Sequence, residues 1–332
     1  MAVAESGKSG CRRILVAGCG AVGSVFACLL AEAGHRVAIL GREAVTGPAA
    51  SAGLRVEGLW GHHRSSPLRA VTDAGELDSD YDAVLITSKA VHTRSLLGQL
   101  GDRAREGGVA VTLQNGLGNV EAMEEVYGRE RTLAGRVIFG AAPLGPGLVE
   151  VTVEADPVLL GSPFEIDLAQ SRARRWAARI DAAGIPCRAV EGVMGWLWGK
   201  VFYNAALNPL GALMGLSYGE LAADAARRRR MDEVISEAYG VAEAEGVRLP
   251  WHGVKEYLEL FYQKLVPATA RHRSSMLQDM EVGKPTEIDA ICGEVCRRGA
   301  ALGVPTPANR RLLEMVVERS RGGRPGPPQD PA

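Results

Sequence analysis

The fold of this chain is indicated by residues 13–23, which read RILVAGCGAVG. Residues 14–17 are apolar and lie between charge and glycine, a pattern typical of a short buried strand. A Gly-x-Gly-x-x-Gly motif follows at once, and the apolar run 25–33 predicts a helix that ends at Gly34. A second strand is predicted at 37–40. Strand, glycine turn, helix and strand within about 30 residues predict a dinucleotide-binding unit.

The three glycines of the motif have separate expected roles. Gly18 permits the tight turn, Gly20 lets the backbone approach a pyrophosphate, and Gly23 lets the helix pack closely on the strand. The phosphates are then expected at the free N–H groups that begin the helix. An ordinary glycine-rich turn between strand and helix is the alternative. The predicted cofactor contacts of this turn are Gly18, Cys19, Gly20, Ala21, Val22 and Gly23.

The residues after the second strand favour NADPH as the cofactor. An NAD-preferring site usually places Asp or Glu about 20 residues after the glycines, at the ribose hydroxyls. Here Gly41 and Arg42 follow the strand, and the nearest acid, Glu43, lies one residue further on. The planar guanidinium of Arg42 can pair with a 2′-phosphate. A solvated loop arginine is the alternative.

Composition and cysteine spacing argue against a nucleic-acid-binding, membrane or metal-binding protein. The chain has 332 residues, enough for two domains, with 46% hydrophobic and 23% charged residues. Its net charge of -1 argues against a nucleic-acid or membrane partner. The six cysteines are scattered, without a CxxC pair or a neighbouring histidine, which predicts free thiols, no metal site and a cytoplasmic location. Neither a signal peptide nor a membrane span is expected.

Polar residues follow two further predicted strands. Lys89 follows the apolar run 83–87, and Asn115 follows the run 109–113. Ligands of open α/β sheets bind at the carboxyl ends of the strands. We therefore predict that Lys89 contacts a cofactor phosphate or ribose and that Asn115 bridges cofactor and substrate. An exposed loop lysine and an ordinary Asn-Gly turn are the alternatives. Ala142, at the end of a later predicted strand, is a further predicted cofactor contact.

The rest of the chain up to residue 191 is predicted to complete the sheet, with antiparallel additions near its end. The predicted elements are an irregular stretch at 41–80 with a short strand at 54–59, helices at 92–105, 119–127 and 171–183, and strands at 132–142, 148–153 and 157–160. Long helical patterns dominate after Glu191. The predicted fold class is α/β, with a Rossmann-type N-terminal domain at 1–191, a mainly α-helical C-terminal domain at 192–320 and a disordered tail at 321–332.

A polar stripe interrupts the apolar and aromatic background of residues 196–209. Lys200, Asn204 and Asn208 recur every four residues, so they share one face of a helix. A lysine on an otherwise buried helix is costly unless it is paired or faces a cleft. Desolvation would also lower its pKa and make it a better proton donor near neutrality. A solvent-exposed face is the alternative. Pro209 is expected to bend or end the helix.

A second polar cluster spans residues 274–289. Gly283 and Pro285 are expected to break one helix, and Thr286 to cap the next, which stops at Gly303. Glu287 would then lie in the first turn, where the helix dipole favours a carboxylate whatever its function.

With these two clusters the chain resembles the ketopantoate reductase (2-dehydropantoate 2-reductase) family, over residues 13–318. The last clusters are specific, because a generic Rossmann protein has no reason to carry them. The matching positions are the glycine turn, Arg42, Lys89, Asn115-Gly116, Lys200, Asn204, Asn208 with Pro209-Leu210, residues 274–279, Thr286 to Asp289, Gly293, Pro305 and Pro307.

The resemblance implies NADPH-dependent reduction of the ketone of 2-dehydropantoate to (R)-pantoate, on the path to pantothenate. It implies that Lys200 donates the proton to the carbonyl oxygen. Glu287 would contact the cofactor ribose or a substrate hydroxyl and help to position Lys200. The residues expected to hold the substrate's oxygens are Asn115, Asn204, Asn208 and Ser275. The partner is then a small 2-keto acid, and the assembly is left open between monomer and homodimer.

One position departs from the family pattern. Some members carry an asparagine shortly before Gly-Glu-Leu, and here Ser217 stands at that place. We retain Ser217 as a predicted substrate contact. The alternatives are a paralogue that reduces another 2-keto acid or a secondary-metabolite ketone, a reductase similar to 6-phosphogluconate dehydrogenase, and a non-catalytic NADPH-sensing protein. The joint presence of Lys200 and Glu287 argues against the sensor.

Overall fold

A computed structural model describes residues 10–321, which form two compact units. Of these residues, unit 1 comprises 10–88, His92–Gln114 and Val120–Glu191. Unit 2 comprises Lys89–Val91, Asn115–Asn119 and 192–321.

Twelve strands are present in the described residues. They are β1 (Arg13–Ala17), β2 (Arg36–Leu40), β3 (Arg55–Gly58), β4 (His63–Arg64), β5 (Arg69–Val71), β6 (Tyr81–Ile86), β7 (Ala104–Thr112), β8 (Thr132–Arg136), β9 (Phe139–Gly145), β10 (Leu148–Glu154), β11 (Val158–Gly161) and β12 (Cys187–Ala189). The first five helices are α1 (Ala21–Glu32), α2 (Glu43–Ala52), α3 (Thr93–Leu100), α4 (Asn119–Tyr127) and α5 (Asp167–Ala182).

The main sheet of unit 1 has eight strands in the order β12-β11-β8-β7-β6-β1-β2-β5. The strands from β5 to β8 are parallel, and β11 joins β8 antiparallel, as the sequence predicts. Ile14 of the central strand β1 pairs with Val37 on one side and Ala83 on the other. Because helices cover both faces, β1 is buried from Ile14 to Ala17 and this run shows no alternation of apolar and polar residues.

A second sheet of four strands has the order β4-β3-β10-β9. It packs on α1, where the rings of Phe26 and Phe139 lie 6.0 Å apart. The predicted single strand at 132–142 is therefore wrong. The chain leaves the main sheet after β8 and enters the small sheet at β9. Because both strands contain buried residues, the sequence shows no boundary between them and predicts one continuous strand.

Two other predictions for unit 1 are corrected. The predicted irregular stretch contains helix α2, which tolerates Pro48 in its interior because Thr46 and Ala49 are buried against the unit's core. The helix predicted at 92–105 ends at Leu100, and β7 begins at Ala104. The first residues of β7 are largely exposed, so they carry no apolar pattern that would mark them as a strand.

Unit 2 is helical. Its helices are α6 (Val193–Met214), α7 (Tyr218–Ala222), α8 (Ala225–Ala244), α9 (Val254–Leu260), α10 (Val266–Ala268), α11 (Ser275–Glu281), α12 (Glu294–Leu302) and α13 (Pro307–Arg321), with π-helical turns at Phe261–Leu265 and Asp289–Gly293. The predicted fold class, a Rossmann-type α/β unit and a mainly α-helical unit, is confirmed. The predicted tail beyond Arg321 lies outside the described residues.

Helix α6 is the centre of unit 2. It is buried on almost every face, which explains its uniformly apolar sequence. Pro209 does not end the helix, which continues to Met214 because the residues after the proline are buried in the unit's core. The Tyr257 hydroxyl donates to the Gly199 carbonyl oxygen at 2.6 Å and fixes the middle of α6 to a neighbouring element.

Across residues 10–321, no helix combines the length and the apolar character that crossing a membrane requires.

Candidate active site

The glycine turn after β1 has the geometry of a phosphate-binding turn. Gly18 adopts φ +81°, and a Cβ there would lie 2.4 Å from the Ser88 Cβ. The backbone N–H groups of Gly18 and Cys19 both donate to the Leu40 carbonyl oxygen, at 2.9 and 3.0 Å. These bonds hold the turn between β1 and β2, so the turn is fixed by the sheet itself.

The other two glycines differ in what surrounds them. A Cβ on Gly23 would lie 2.5 Å from Thr87 Oγ1, so this glycine allows α1 to pack against the sheet. A Cβ on Gly20 would meet nothing within 4 Å, which leaves open space in front of the turn. No side chain caps α1, so its first N–H groups lack intrahelical acceptors and are available to an anion. The turn therefore fits the pyrophosphate of a dinucleotide.

Two other residues of unit 1 complete this region. Burial raises the pKa of Cys19 to about 12, so its thiol stays neutral and brings no negative charge to the turn. Arg42 precedes α2 and is exposed, and its guanidinium has no hydrogen bond or ion pair with any residue between 10 and 321. An unpaired arginine at the tip of β2 fits a 2′-phosphate.

Lys89 has partners within unit 2. Its ammonium lies 2.5 Å from Asp279 Oδ1 and donates to the Pro285 carbonyl oxygen at 3.0 Å. The ion pair joins the short segment Lys89–Val91 to the second polar cluster. The predicted contact of Lys89 with the cofactor stays a prediction, and Asp279 is a partner that sequence spacing did not reveal.

Glu287 brings together residues that are far apart in the sequence. Its Oε2 accepts from the Asn115 side-chain amide at 2.9 Å, and its Oε1 accepts from the Ala90 N–H at 3.3 Å. The helical segment begins at Ile288, the residue before the π-helical turn Asp289–Gly293, so Glu287 and Thr286 both precede it. The Glu287 carbonyl accepts from the Ile291 N–H at 3.1 Å. The predicted cap at Thr286 is therefore wrong: the helical segment begins one residue later, and the Glu287 carboxylate holds two loops rather than its own helix.

The Asn-Gly turn is seated against the same helical segment. Gly116 adopts φ +80°, and a Cβ there would lie 2.5 Å from the Ala290 carbonyl oxygen. The Leu117 N–H donates to that carbonyl at 2.9 Å. The close approach requires glycine and fixes Asn115 beside Glu287.

The polar stripe lies on α6 as predicted from its spacing. Lys200 is half-buried, and Asn204 and Asn208 are 7% and 5% exposed. The Asn204 amide has no hydrogen-bond partner among the described residues. Its atoms are not among the fully buried unpartnered ones, so they reach accessible surface. An amide held in an apolar wall with its polar atoms unpaired is suited to bind a polar ligand.

Asn208 is held by residues that the sequence analysis missed. Its Oδ1 accepts from the Tyr218 hydroxyl at 2.6 Å, and its backbone carbonyl accepts from Ser274 Oγ at 3.3 Å. Ser274 is fully buried and also caps α11 by accepting from the Leu277 N–H. Both residues look like ordinary core or capping positions in the sequence, and only the tertiary structure reveals their contact with the stripe.

Three further residues were predicted from the sequence to contact the substrate or the cofactor, and the structure shows what surrounds each of them. Ser217 donates its hydroxyl to Glu220 Oε2 at 2.6 Å, within the cap of α7. Ser275 is exposed in the first turn of α11, next to the buried Ser274. Ala142 lies half-buried in β9, paired with Glu150 in the small sheet. Their roles in binding stay predictions.

Comparison with known proteins gives the same family for both units. The family model described as Ketopantoate reductase PanE/ApbA matches residues 14–163, and the model described as Ketopantoate reductase PanE/ApbA C terminal matches residues 192–320. A 2-dehydropantoate 2-reductase of Aquifex aeolicus (strain VF5) is 36% identical over 305 residues, which cover 92% of this chain and 96% of the relative.

Solved structures with the same fold cover nearly all of the chain. A PanE/ApbA family ketopantoate reductase from Ralstonia eutropha JMP134 has a TM-score of 0.81 and 30% identity, with 93% of this chain and 98% of that one covered. A ternary structure of D-mandelate dehydrogenase with NADH and anilino(oxo)acetate has a TM-score of 0.84 with the same coverage. Its identity of 24% limits that likeness to the fold.

Proposed function

The chain belongs to the ketopantoate reductase family, and we propose that it reduces 2-dehydropantoate to (R)-pantoate with NADPH, a step towards pantothenate. Membership makes it an NAD(P)-dependent oxidoreductase. The substrate and the preference for NADPH are the proposed part.

The observation that carries the proposal is the stripe on α6. A lysine and two nearly buried amides project from one face of an apolar helix. A polar group in such a wall is costly unless it is hydrogen-bonded, and the Asn204 amide has no hydrogen-bond partner among the described residues. A 2-keto acid offers a keto oxygen and a carboxylate, which both accept hydrogen bonds. Ammonium and amide N–H groups are the matching donors.

Each residue of the site has a separate role in the proposed reaction. NADPH, when bound, supplies the hydride. The keto oxygen gains negative charge as the hydride arrives, and the Lys200 ammonium stabilises that charge and donates a proton to the oxygen. Asn204 and Asn208 hold the substrate's oxygens. Glu287 accepts from the Asn115 amide, which leaves the Asn115 side-chain oxygen available to a ligand hydroxyl.

Replacement of Lys200 tests the proposed reaction. We expect Lys200→Ala to abolish the decay of NADPH absorbance with ketopantoate while NADPH binding, measured by fluorescence, is retained. Loss of one oriented charge at the reacting oxygen typically costs about 100- to 1000-fold in kcat. Unchanged turnover in the variant would refute the role of Lys200.

The substrate is tested with a panel of 2-keto acids. Faster turnover of another acid, equally dependent on Lys200, would keep the reaction class and refute ketopantoate as the substrate. The predicted cytoplasmic location and the choice between monomer and homodimer are tested by cell fractionation and light scattering.

The exposed guanidinium of Arg42 supports NADPH as the cofactor. We expect Arg42→Ala to raise the KM for NADPH about tenfold or more, because it removes a charge-assisted contact to the 2′-phosphate. The KM for NADH, which lacks that phosphate, should change little. Equal changes for both cofactors would contradict the proposed preference.

A further inference from the structure

Tyr218 is the side chain that holds the amide of Asn208. It begins α7, is 3% exposed, and donates its hydroxyl to Asn208 Oδ1 at 2.6 Å. Its ring packs edge-to-face with Tyr203, with centroids 5.7 Å apart, and lies 5.2 Å from the ring of His272. The ring is therefore fixed by its neighbours, and its hydroxyl is fixed with it.

The direction of this hydrogen bond decides which end of the amide is occupied. Burial raises the pKa of Tyr218 well above its usual value, so the phenol keeps the proton that it donates to Asn208 Oδ1. The oxygen and nitrogen ends of an amide are nearly identical in shape but opposite in hydrogen bonding. In the orientation that this bond holds, the oxygen end of the Asn208 amide faces Tyr218 and the NH₂ end faces away from it.

The nitrogen end of Asn208 remains available. It has no acceptor among residues 10–321, and it is absent from the fully buried unpartnered atoms, so it reaches accessible surface. A keto oxygen or a carboxylate accepts hydrogen bonds but cannot donate one. Such a ligand is attracted by the nitrogen end and repelled by the oxygen end.

We infer that Tyr218 is a positioning residue that fixes the Asn208 amide so that its NH₂ group donates to an acceptor oxygen of the 2-keto acid. The inference rests on the proposed function, in which Asn208 binds the substrate. Tyr218 itself acts through Asn208.

Tyr203 offers a matched control. Its hydroxyl is also held in a 2.6 Å hydrogen bond, but its partner is Thr269 and not the stripe. Tyr203→Phe and Tyr218→Phe each remove one largely buried hydroxyl and keep the ring. We expect Tyr218→Phe to raise the KM for the 2-keto acid about tenfold, the effect of one lost hydrogen bond to a charged or polar acceptor. Tyr203→Phe should change it less than about twofold.

A double-mutant cycle separates positioning from a general structural effect. If Tyr218 acts through Asn208, Tyr218→Phe should have no further effect on the KM for the acid in the Asn208→Ala background. The KM for NADPH should stay unchanged in all variants. Thermal unfolding of each variant identifies any that fails to fold, and Tyr203→Phe is the reference for the loss of a hydroxyl.

Three outcomes overturn the inference. These are equal KM changes in the two tyrosine variants, a parallel rise in the KM for NADPH, and additive effects of Tyr218→Phe and Asn208→Ala. Each can occur while the wild-type enzyme reduces a 2-keto acid, so the proposed function would survive. A wild-type enzyme that reduces no 2-keto acid refutes both.

Discussion

Gly199 is a position on α6 where the structure leaves no room for a side chain. A Cβ there would lie 2.2 Å from Cη2 and 2.8 Å from Cζ3 of the Trp251 indole. The indole cannot easily yield, because its ring centroid lies 4.7 Å from that of Tyr257 and 5.9 Å from that of Trp196. Gly199→Ala must therefore displace α6 or the indole.

The cost of that displacement can be stated in magnitude. Overpacking a well-filled core typically costs about 1–3 kcal/mol. A loss of about 2 kcal/mol lowers Tm by roughly 4–8 °C in a domain of 150–250 residues. Because Lys200 is the next residue, the same shift misplaces its ammonium. A misplacement of about 1 Å can cost roughly 100-fold in rate, so we expect kcat to fall by about 10- to 100-fold.

Gly240→Ala is the control for this experiment. Gly240 lies inside α8 of the same unit, and a Cβ there would meet only Val304 Cγ1, at 3.9 Å. Alanine is the better helix former, by about 1 kcal/mol, so this variant should be neutral or stabilised. Calorimetry gives Tm, and NADPH absorbance with the 2-keto acid gives kcat. A Gly199→Ala variant with the Tm and kcat of the control would refute the reasoning.

Two further predictions concern the cofactor turn and the response to pH. Gly20→Ala adds a methyl group to open space, so Tm should hold while the Kd for NADPH, measured by fluorescence, rises about tenfold or more; unchanged binding would contradict the role of the turn. Burial lowers the pKa of His272 in the folded protein, so as the pH falls the imidazole is protonated in the unfolded chain before it is protonated in the folded one. The neutral, buried His272 therefore makes its full contribution to the free energy of unfolding above about pH 6.5. That contribution is lost as the pH falls towards the lowered pKa of the folded state. His272→Asn should therefore reduce the decline in Tm between about pH 7 and 5, compared with the exposed His62→Asn; equal declines would contradict this.

The parts of the fold that are predictable from the sequence depend on local patterns. Strand β1 and the turn after it are visible because a strand buried on both faces reads as one apolar run. Helix α2 is not visible, because Gly47 and Pro48 oppose a helix and the burial that stabilises it comes from elsewhere in unit 1. The small sheet is hidden for a similar reason: β3 and β10 pair across a long stretch of chain, and neither strand shows which sheet it joins.

The candidate active site likewise has features that follow from local sequence patterns and features that only the tertiary structure shows. The stripe on α6 is predictable because residues four positions apart lie on the same face of a helix. The contact between Glu287 and Asn115 joins residues 172 positions apart, and only the tertiary structure shows it. Tyr218 gives no signal at all in the sequence, since an aromatic residue beside a helix start is most simply part of a core.

Unit 2 is assembled from three separate stretches of chain, and this limits how the gene can be divided. A fragment that begins at Gly192 lacks Lys89 and Asn115, so Asp279 and Glu287 lose the cation and the amide that they hold in the whole protein. A chimaera joined at that residue would take these pairs from two parents. Evolution by recombination of whole domains is therefore constrained, because the loops of the N-terminal parent must carry residues that pair with the acidic residues of the C-terminal parent.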